Sequence, residues 1–148
     1  MKKSKFIKLF YFKKWLYDHN LKWVSKVIDF LVRLFFGCDI PSSVNLGKNG
    51  VFPHFALGIV IHPRAKIGNN FKIYQNVTIG CRNGDGPPII GENCYIGSGA
   101  CVLGKIKIGN NVTIGANAVV LKDIPDNCTA VGVPAVIKKV CEGKKDVK

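Results

Sequence analysis

Two side chains in this 148-residue chain, His54 and Asp39, have the types and the spacing for proton transfer. An imidazole titrates near neutral pH, so a histidine can take a proton from a substrate under physiological conditions. A carboxylate bonded to the other ring nitrogen would hold the imidazole in one tautomer and stabilise the imidazolium. The alternatives are that His54 is a solvated loop residue and that Asp39 caps a turn. The elements that position the two residues decide between these interpretations.

Other candidates for ligand chemistry are scattered. The remaining histidines are His19 and His62, and no histidine stands at zinc-finger spacing from a cysteine, so we expect no metal site. Six cysteines occur without a Cys-x-x-Cys pair and without a secretory signal, which predicts reduced thiols. They are Cys38, Cys81, Cys94, Cys101, Cys128 and Cys141.

A six-residue repeat organises the chain from residue 40 to residue 125. Aliphatic or aromatic residues begin thirteen hexads, the second position is often glycine, and the fifth is small or aliphatic. This period matches neither a helix nor a hairpin strand. Each hexad predicts a short strand and a corner, with the first and fifth residues inward and the glycine relieving backbone strain. Three hexads close a triangular coil, and stacked coils form a parallel β-helix. The hexads begin at Ile40, Leu46, Phe52, Ile61, Ile67, Ile73, Ile79, Ile90, Ile96, Val102, Ile108, Ile114 and Val120.

The repeat loses register at two places. Three extra residues lie between Phe52 and Ile61, and five lie between Ile79 and Ile90. An insertion in a coil must bulge outward, and loops on a rigid scaffold commonly carry function. We therefore expect chemistry at 52–61 and 80–90. His54 lies in the first of these, and Asp39 precedes it by nearly one eighteen-residue coil, which predicts that the two are neighbours in adjacent layers.

The segments on either side of the repeat are basic. The net charge is +13; residues 1–36 hold nine Lys or Arg against two Asp, and residues 138–148 hold five lysines against two acidic residues. Residues 6–36 contain no proline or glycine, which favours one or two amphipathic helices ending at Gly37. We therefore divide the chain into a helical segment at 1–37, the repeat domain at 38–137 and a basic tail at 138–148.

The aromatic and basic residues of 1–36 allow two interpretations. The helices could lie in a lipid interface, or they could pack on the end of the β-helix or on an oligomer with their lysines in solvent; the second is favoured. No apolar stretch reaches the roughly 20 residues of a spanning helix, and no signal peptide is evident. The expected compartment is the cytoplasm, with peripheral contact at the inner face of the membrane as the alternative.

With these motifs in view, the chain resembles the hexapeptide-repeat acyltransferases and is similar to the serine O-acetyltransferases, in a short-armed branch associated with polysaccharide biosynthesis. The resemblance implies a left-handed coil, a homotrimer with sites between neighbouring prisms, and acetyl-CoA as co-substrate. It also implies His54 as general base with Asp39, and Gly80, Ser98 and Ala116 as acetyl-CoA contacts; Lys122 could reach a phosphate. The blocks that carry it are 38–41, 53–60, 74–80, 96–100, 114–121 and 131–135.

The chain departs from the family where an amino acid would bind. The family has an aspartate before the catalytic histidine and an Arg-His pair in the later loop, whereas this sequence has Pro53 and Gly86-Pro87. A zwitterionic amino acid needs charged partners. We therefore expect a saccharide precursor of an exopolysaccharide or capsule as the acceptor, and serine as the alternative.

Other functional classes fit less well. A non-catalytic β-helix scaffold is the second alternative, because a fold does not imply a function. A metal-dependent hydratase would need three histidine ligands, and the histidine spacing does not provide them. The positive charge would suit nucleic acid, but no recognition helix or aromatic-basic sheet motif is evident.

Overall fold

The computed structural model describes residues 5–139, so Cys141 and most of the basic tail lie outside the described residues. Within this range two α-helices precede thirteen short strands. The helices are α1 (Lys5–Asp18) and α2 (Lys22–Phe36). The strands are β1 (Asn45–Leu46), β2 (Val60–Ile61), β3 (Lys66–Ile67), β4 (Lys72–Ile73), β5 (Thr78–Gly80), β6 (Ile89–Ile90), β7 (Tyr95–Ile96), β8 (Cys101–Leu103), β9 (Lys107–Ile108), β10 (Thr113–Ile114), β11 (Val119–Val120), β12 (Cys128–Val131) and β13 (Val136–Lys139).

The strands form the three faces of a prism. The sheet orders are β1-β3-β6-β9, β13-β12-β10-β7-β4 and β11-β8-β5-β2. Among the strands of residues 5–139 every pairing between coils is parallel, and only β13 returns antiparallel to β12. Strand β13 continues past residue 137, where the sequence places the start of the basic tail. The three-part division of the chain stays a prediction.

The hexad positions that were expected to point inward form the core. All thirteen first-position residues and their small fifth-position partners are buried, in one continuous cluster along the prism. Each large side chain among them contributes about 1.5–3 kcal/mol by leaving water. Because strands of two or three residues are too short to be stable alone, this shared column holds the coils together.

The predicted role of the repeat glycines is wrong. The second-position glycines do not have positive φ angles; a Cβ on Gly68 would instead lie 2.6 Å from the carbonyl carbon of Gly91 in the next coil. Their lack of a side chain lets the coils approach closely. The left-handed corner conformation is taken by asparagine, whose short polar side chain tolerates it. At one corner these side chains form a hydrogen-bonded ladder through Asn49, Asn70, Asn93, Asn111 and Asn127.

The helices cover the first coils of the prism. Phe6, Ile7 and Phe10 of α1 are buried in the core cluster, and the ring of Phe6 contacts that of Phe52. Helix α2 ends as expected at Gly37, which caps it in the left-handed conformation with its N–H on the Arg33 carbonyl. Packing on the prism is thus confirmed for α1. Within residues 5–139 no helix has the length and apolar character needed to cross a bilayer.

Candidate active site

The first insertion holds His54 in an unusual backbone conformation. Residues Pro53–Ala56 form a tight turn in which three successive non-glycine residues are left-handed, with φ of 53° at His54, 56° at Phe55 and 60° at Ala56. Each such residue costs about 1–2 kcal/mol. The turn is held because Ala56 is buried in the core and the N–H of Leu57 donates to the carbonyl of His54. Strain that is maintained in this way is typical of functional sites.

An aromatic cluster adjoins the imidazole. The ring of His54 lies 6.3 Å from that of Tyr74, and Tyr74 lies 5.2 Å from Tyr95 on the next coil. The ammonium of Lys72 lies 5.0 Å from the Tyr74 ring centre and 5.7 Å from that of Tyr95. Its hydrogen bond lowers the pKa of Tyr74, whereas burial raises the pKa of Tyr95. Lys72 of β4 pairs with Tyr95 of β7, and Tyr74 stands two residues after Lys72, so strand alternation puts all three side chains on one face. The sequence prediction did not identify this cluster.

Asp39 lies on the coil that the His54 turn rejoins. Its N–H donates to the Ile59 carbonyl at 2.7 Å, and its carbonyl accepts from the Ile61 N–H at 2.9 Å. The predicted proximity of the two coil segments is therefore present. Among the described residues, however, the Asp39 carboxylate bonds to Arg33 of α2, with Nη2 and Oδ2 2.7 Å apart, rather than to His54. This ion pair raises the pKa of the Arg33 guanidinium.

The C-terminal end of α2 is part of the same site. The ring of Phe36 lies 6.2 Å from that of Phe55, and the N–H of Gly58 donates to the carbonyl of Gly37. The helix therefore supports the turn that holds His54, and it brings Arg33 to Asp39. Sequence reasoning about the repeat could not identify Arg33, because this residue precedes the repeat and only helix packing brings it there.

The four residues expected to contact acetyl-CoA fall into two places. Ser98 and Ala116 occupy equivalent corners of successive coils, where the Ser98 carbonyl accepts from the Asn117 N–H. Gly80 ends β5 and Lys122 follows β11, so these two lie at the corner after the strands of sheet β11-β8-β5-β2, whereas Ser98 and Ala116 lie at the corner before β8 and β11.

Each of these two corners carries a further polar group. Gln75 is at the corner before Ser98, and its side-chain Oε1 is buried without a hydrogen-bond partner among the described residues. Such an orphaned acceptor calls for a donor from a ligand or from water. At the other corner, Arg82, Lys122 and Asp123 line a cavity of about 530 Å³, together with Pro134 and Ala135 of the C-terminal turn. Two cations against one carboxylate leave this largely apolar cavity with net positive charge, which suits a phosphorylated ligand with an apolar arm.

The thiols differ in their surroundings. Burial raises the pKa of Cys38, next to Asp39, to about 11, and burial also raises that of Cys94. Cys81 is exposed in the second insertion. The five cysteines within residues 5–139 are free thiols. No three His, Cys, Asp or Glu side chains of that range are grouped so as to hold a metal ion.

Comparison with known proteins supports the sequence prediction of the repeat. The family described as bacterial transferase hexapeptide (six repeats) matches residues 87–122. The serine acetyltransferase of Synechococcus elongatus is 42% identical over 123 residues, which are 81% of this chain and 50% of that protein. The chain spans about half the length of the relatives that it matches.

Solved structures show the same fold. The serine acetyltransferase of Neisseria gonorrhoeae superposes with a TM-score of 0.85 at 34% identity, over 94% of this chain and 54% of that one. A serine acetyltransferase in complex with CoA gives 0.82 at 35% identity, over 90% and 55%. The predicted left-handed parallel β-helix with an N-terminal helical segment is confirmed, and the chain is similar to the serine acetyltransferases. The comparisons do not support the branch associated with polysaccharide biosynthesis, and they favour the serine alternative.

Proposed function

We propose that this chain transfers the acetyl group of acetyl-CoA to the hydroxyl of serine, with His54 as the general base. The observation that carries the proposal is the strained left-handed turn, which presents His54 beside the Asp39 coil in a chain similar to serine acetyltransferases. Attack of the hydroxyl oxygen on the thioester carbonyl forms the ester bond and releases CoA. His54 removes the hydroxyl proton during attack and returns a proton to the departing thiolate.

In this proposal acetyl-CoA binds at the two corners of the prism that flank sheet β11-β8-β5-β2. The CoA-bound serine acetyltransferase supports this ligand for the shared fold. Ser98 and Ala116 offer a closely approachable backbone edge, and Gln75 an unpaired acceptor beside it. Arg82 and Lys122 supply cations for phosphate at the cavity.

The ion pair of Arg33 and Asp39 supports an amino-acid acceptor, because Arg33 supplies a charged partner for the acceptor carboxylate. The sequence departs from the family at Pro53 and Gly86, yet Arg33 places a guanidinium near the same coil, where it can hold a carboxylate with two hydrogen bonds. In this mechanism the serine carboxylate binds Arg33 in place of Asp39, and the Asp39 carboxylate is then free to accept a hydrogen bond from the imidazole of His54. In enzymes without bound substrate, catalytic hydrogen bonds are often long or poorly aligned, and they tighten when the substrate binds.

The functional unit in this proposal is a homotrimer with sites between prisms. Beside His54, the side chains of Phe55, Leu57 and Val60 are exposed and apolar. A neighbouring prism would bury this surface and exclude water from the site. Light scattering of the purified chain should give three times the mass of one chain, and a monomer that is fully active would contradict this assembly.

The test measures thiol release from acetyl-CoA with L-serine as the only acceptor. His54→Ala should lower kcat by about 10²- to 10⁴-fold, whereas His62→Ala, the matched control on the next coil, should leave kcat within about twofold. Near-normal turnover of His54→Ala would exclude this residue as the base. If acetyl-CoA binds but serine gives no release, the acceptor is not serine, and nucleotide sugars and lipid-linked saccharides are tested next.

A second variant separates acceptor binding from the proton transfer. Arg33→Gln should raise the KM for serine at least tenfold, because the substrate carboxylate loses its partner, and Arg33→Lys should restore part of the loss. An unchanged KM in Arg33→Gln would remove this residue from the acceptor site. The binding of acetyl-CoA, followed by calorimetry, should be the same in both variants.

A further inference from the structure

Helix α2 carries a large apolar face that nothing within residues 5–139 covers. Trp23, Val27, Phe30 and Leu34 follow one another at helical spacing, and their side chains are 71%, 49%, 64% and 67% exposed. Leu31, 42% exposed, and Phe35, 75% exposed, extend this stripe around the helix. Single exposed apolar residues are common, but these six side chains form a contiguous patch and indicate an interaction surface.

The other two faces of α2 have clear roles. The inner face is buried through Ser25 and Val32. Lys22 and Lys26 are exposed and each lies one residue before a member of the apolar stripe; the next two equivalent positions are Asp29, which pairs with Lys13, and Arg33, which pairs with Asp39. The first turns of the apolar face therefore lie alongside two exposed lysines, and this face is separate from the one that packs on the protein.

This arrangement matches a helix that lies in the plane of a lipid interface. Such helices combine bulky Trp, Phe and Leu side chains with Lys or Arg on the polar side, and the cations are drawn to anionic headgroups. The segment 1–36 has nine Lys or Arg against two Asp, which gives the complementary charge. Helix α1 adds Phe12 and Trp15, both exposed, with stacked rings 6.5 Å apart.

A second copy of the chain fits this face less well. Contact between α2 helices of two copies would bring together segments that each hold nine Lys or Arg against two Asp, and like charges at an interface oppose association. An anionic bilayer takes the same apolar side chains without that repulsion. The helix also lacks the length and apolar character for a membrane-spanning segment, so it would lie on the bilayer rather than cross it.

We propose that α2 binds the surface of an anionic lipid bilayer, with Trp23, Phe30 and Leu34 inserted among the acyl chains and Lys22 and Lys26 at the headgroups. The inference does not depend on the proposed reaction. Phe36 joins the end of α2 to the turn that carries His54, so this binding mode holds that turn near the membrane surface.

The experiment is flotation of the full chain with vesicles of phosphatidylcholine, with and without 30% phosphatidylglycerol. The chain should float with the anionic vesicles and bind at least tenfold less to the neutral ones. Phe30→Glu/Leu34→Glu should lower the partition coefficient at least tenfold. Ile89→Glu, which changes a comparably exposed apolar residue on the prism, should leave partitioning unchanged. Thermal melts show whether each variant is folded.

A spectroscopic readout keeps the test independent of the double variant. In Trp15→Phe, Trp23 is the one remaining tryptophan of the chain, and its emission should shift to the blue when anionic vesicles are added. The proposal is overturned if the chain does not float with anionic vesicles or if the Trp23 emission is unchanged. It is also overturned if Phe30→Glu/Leu34→Glu changes the oligomeric mass but not the flotation, because the face would then join copies of the chain.

Discussion

The ion pair of Lys13 and Asp29 fixes the helices to the prism. Replacing Asp29 should destabilise the protein more than replacing Lys13. Lys13 is 1% exposed, and its ammonium lies 2.6 Å from Oδ1 of Asp29, whose side chain is 25% exposed. The ammonium also donates to the Ile40 carbonyl and lies 5.2 Å from the centre of the Phe10 ring. Asp29 in turn accepts from the N–H and the hydroxyl of Ser42. One pair thus connects α1, α2 and the first coil.

The exposure of each member sets the size of the effect. Asp29→Ala leaves the ammonium of Lys13 buried without its counter-charge and removes the acceptor of Ser42, which should cost about 3–5 kcal/mol. Lys13→Met keeps a flexible apolar side chain in the same space, and the remaining carboxylate still has Ser42 and some solvent. We expect this variant to cost about 1–2 kcal/mol.

The assay is urea unfolding at pH 7, followed by far-UV circular dichroism and by thermal melts. For a chain of this size about 3 kcal/mol lowers Tm by roughly 6–12 °C. The double variant Lys13→Met/Asp29→Leu should be more stable than Asp29→Ala, since no charge is left unpaired. If Lys13→Met destabilises the protein as much as Asp29→Ala, or if neither changes its stability, the argument from burial is refuted.

Two further predictions concern the coils and the thiols. Gly68→Ala should lower Tm by several degrees, because its Cβ would meet the backbone of the next coil at 2.6 Å. Gly80→Ala should have little effect, because its Cβ would lie 3.5 Å from a leucine methyl group. Equal melting temperatures of the two variants would contradict this steric account. Iodoacetamide at pH 8 should alkylate exposed Cys81 well before Cys38, which is buried and whose pKa is raised to about 11. Peptide mass mapping over time measures both rates, and faster labelling of Cys38 would show that its coil opens.

Particular residues show how far the sequence could predict the structure. The hexad spacing identified the coils, the inward column and both insertions, because burial in a short-strand prism repeats with the chain itself. The roles of the glycines were predicted wrongly, since the distance between Gly68 and the next coil arises only when the coils stack. The pairing of Asp39 with the segment that follows the His54 turn agreed with the coil length. The bond of Asp39 to Arg33 did not follow from the sequence, because it depends on how α2 docks.

Three features can be predicted from the sequence without the fold: the β-helix, the place where His54 leaves the repeat, and the basic, aromatic character of the first 36 residues. These are local or periodic properties, and each coil is specified by its own hexads. Three features appear only in the folded structure: the left-handed strain at His54, the bond between Arg33 and Asp39, and the exposed apolar face of α2. These features depend on which surfaces meet when the helices pack on the prism, and contacts between distant segments have no fixed spacing along the chain.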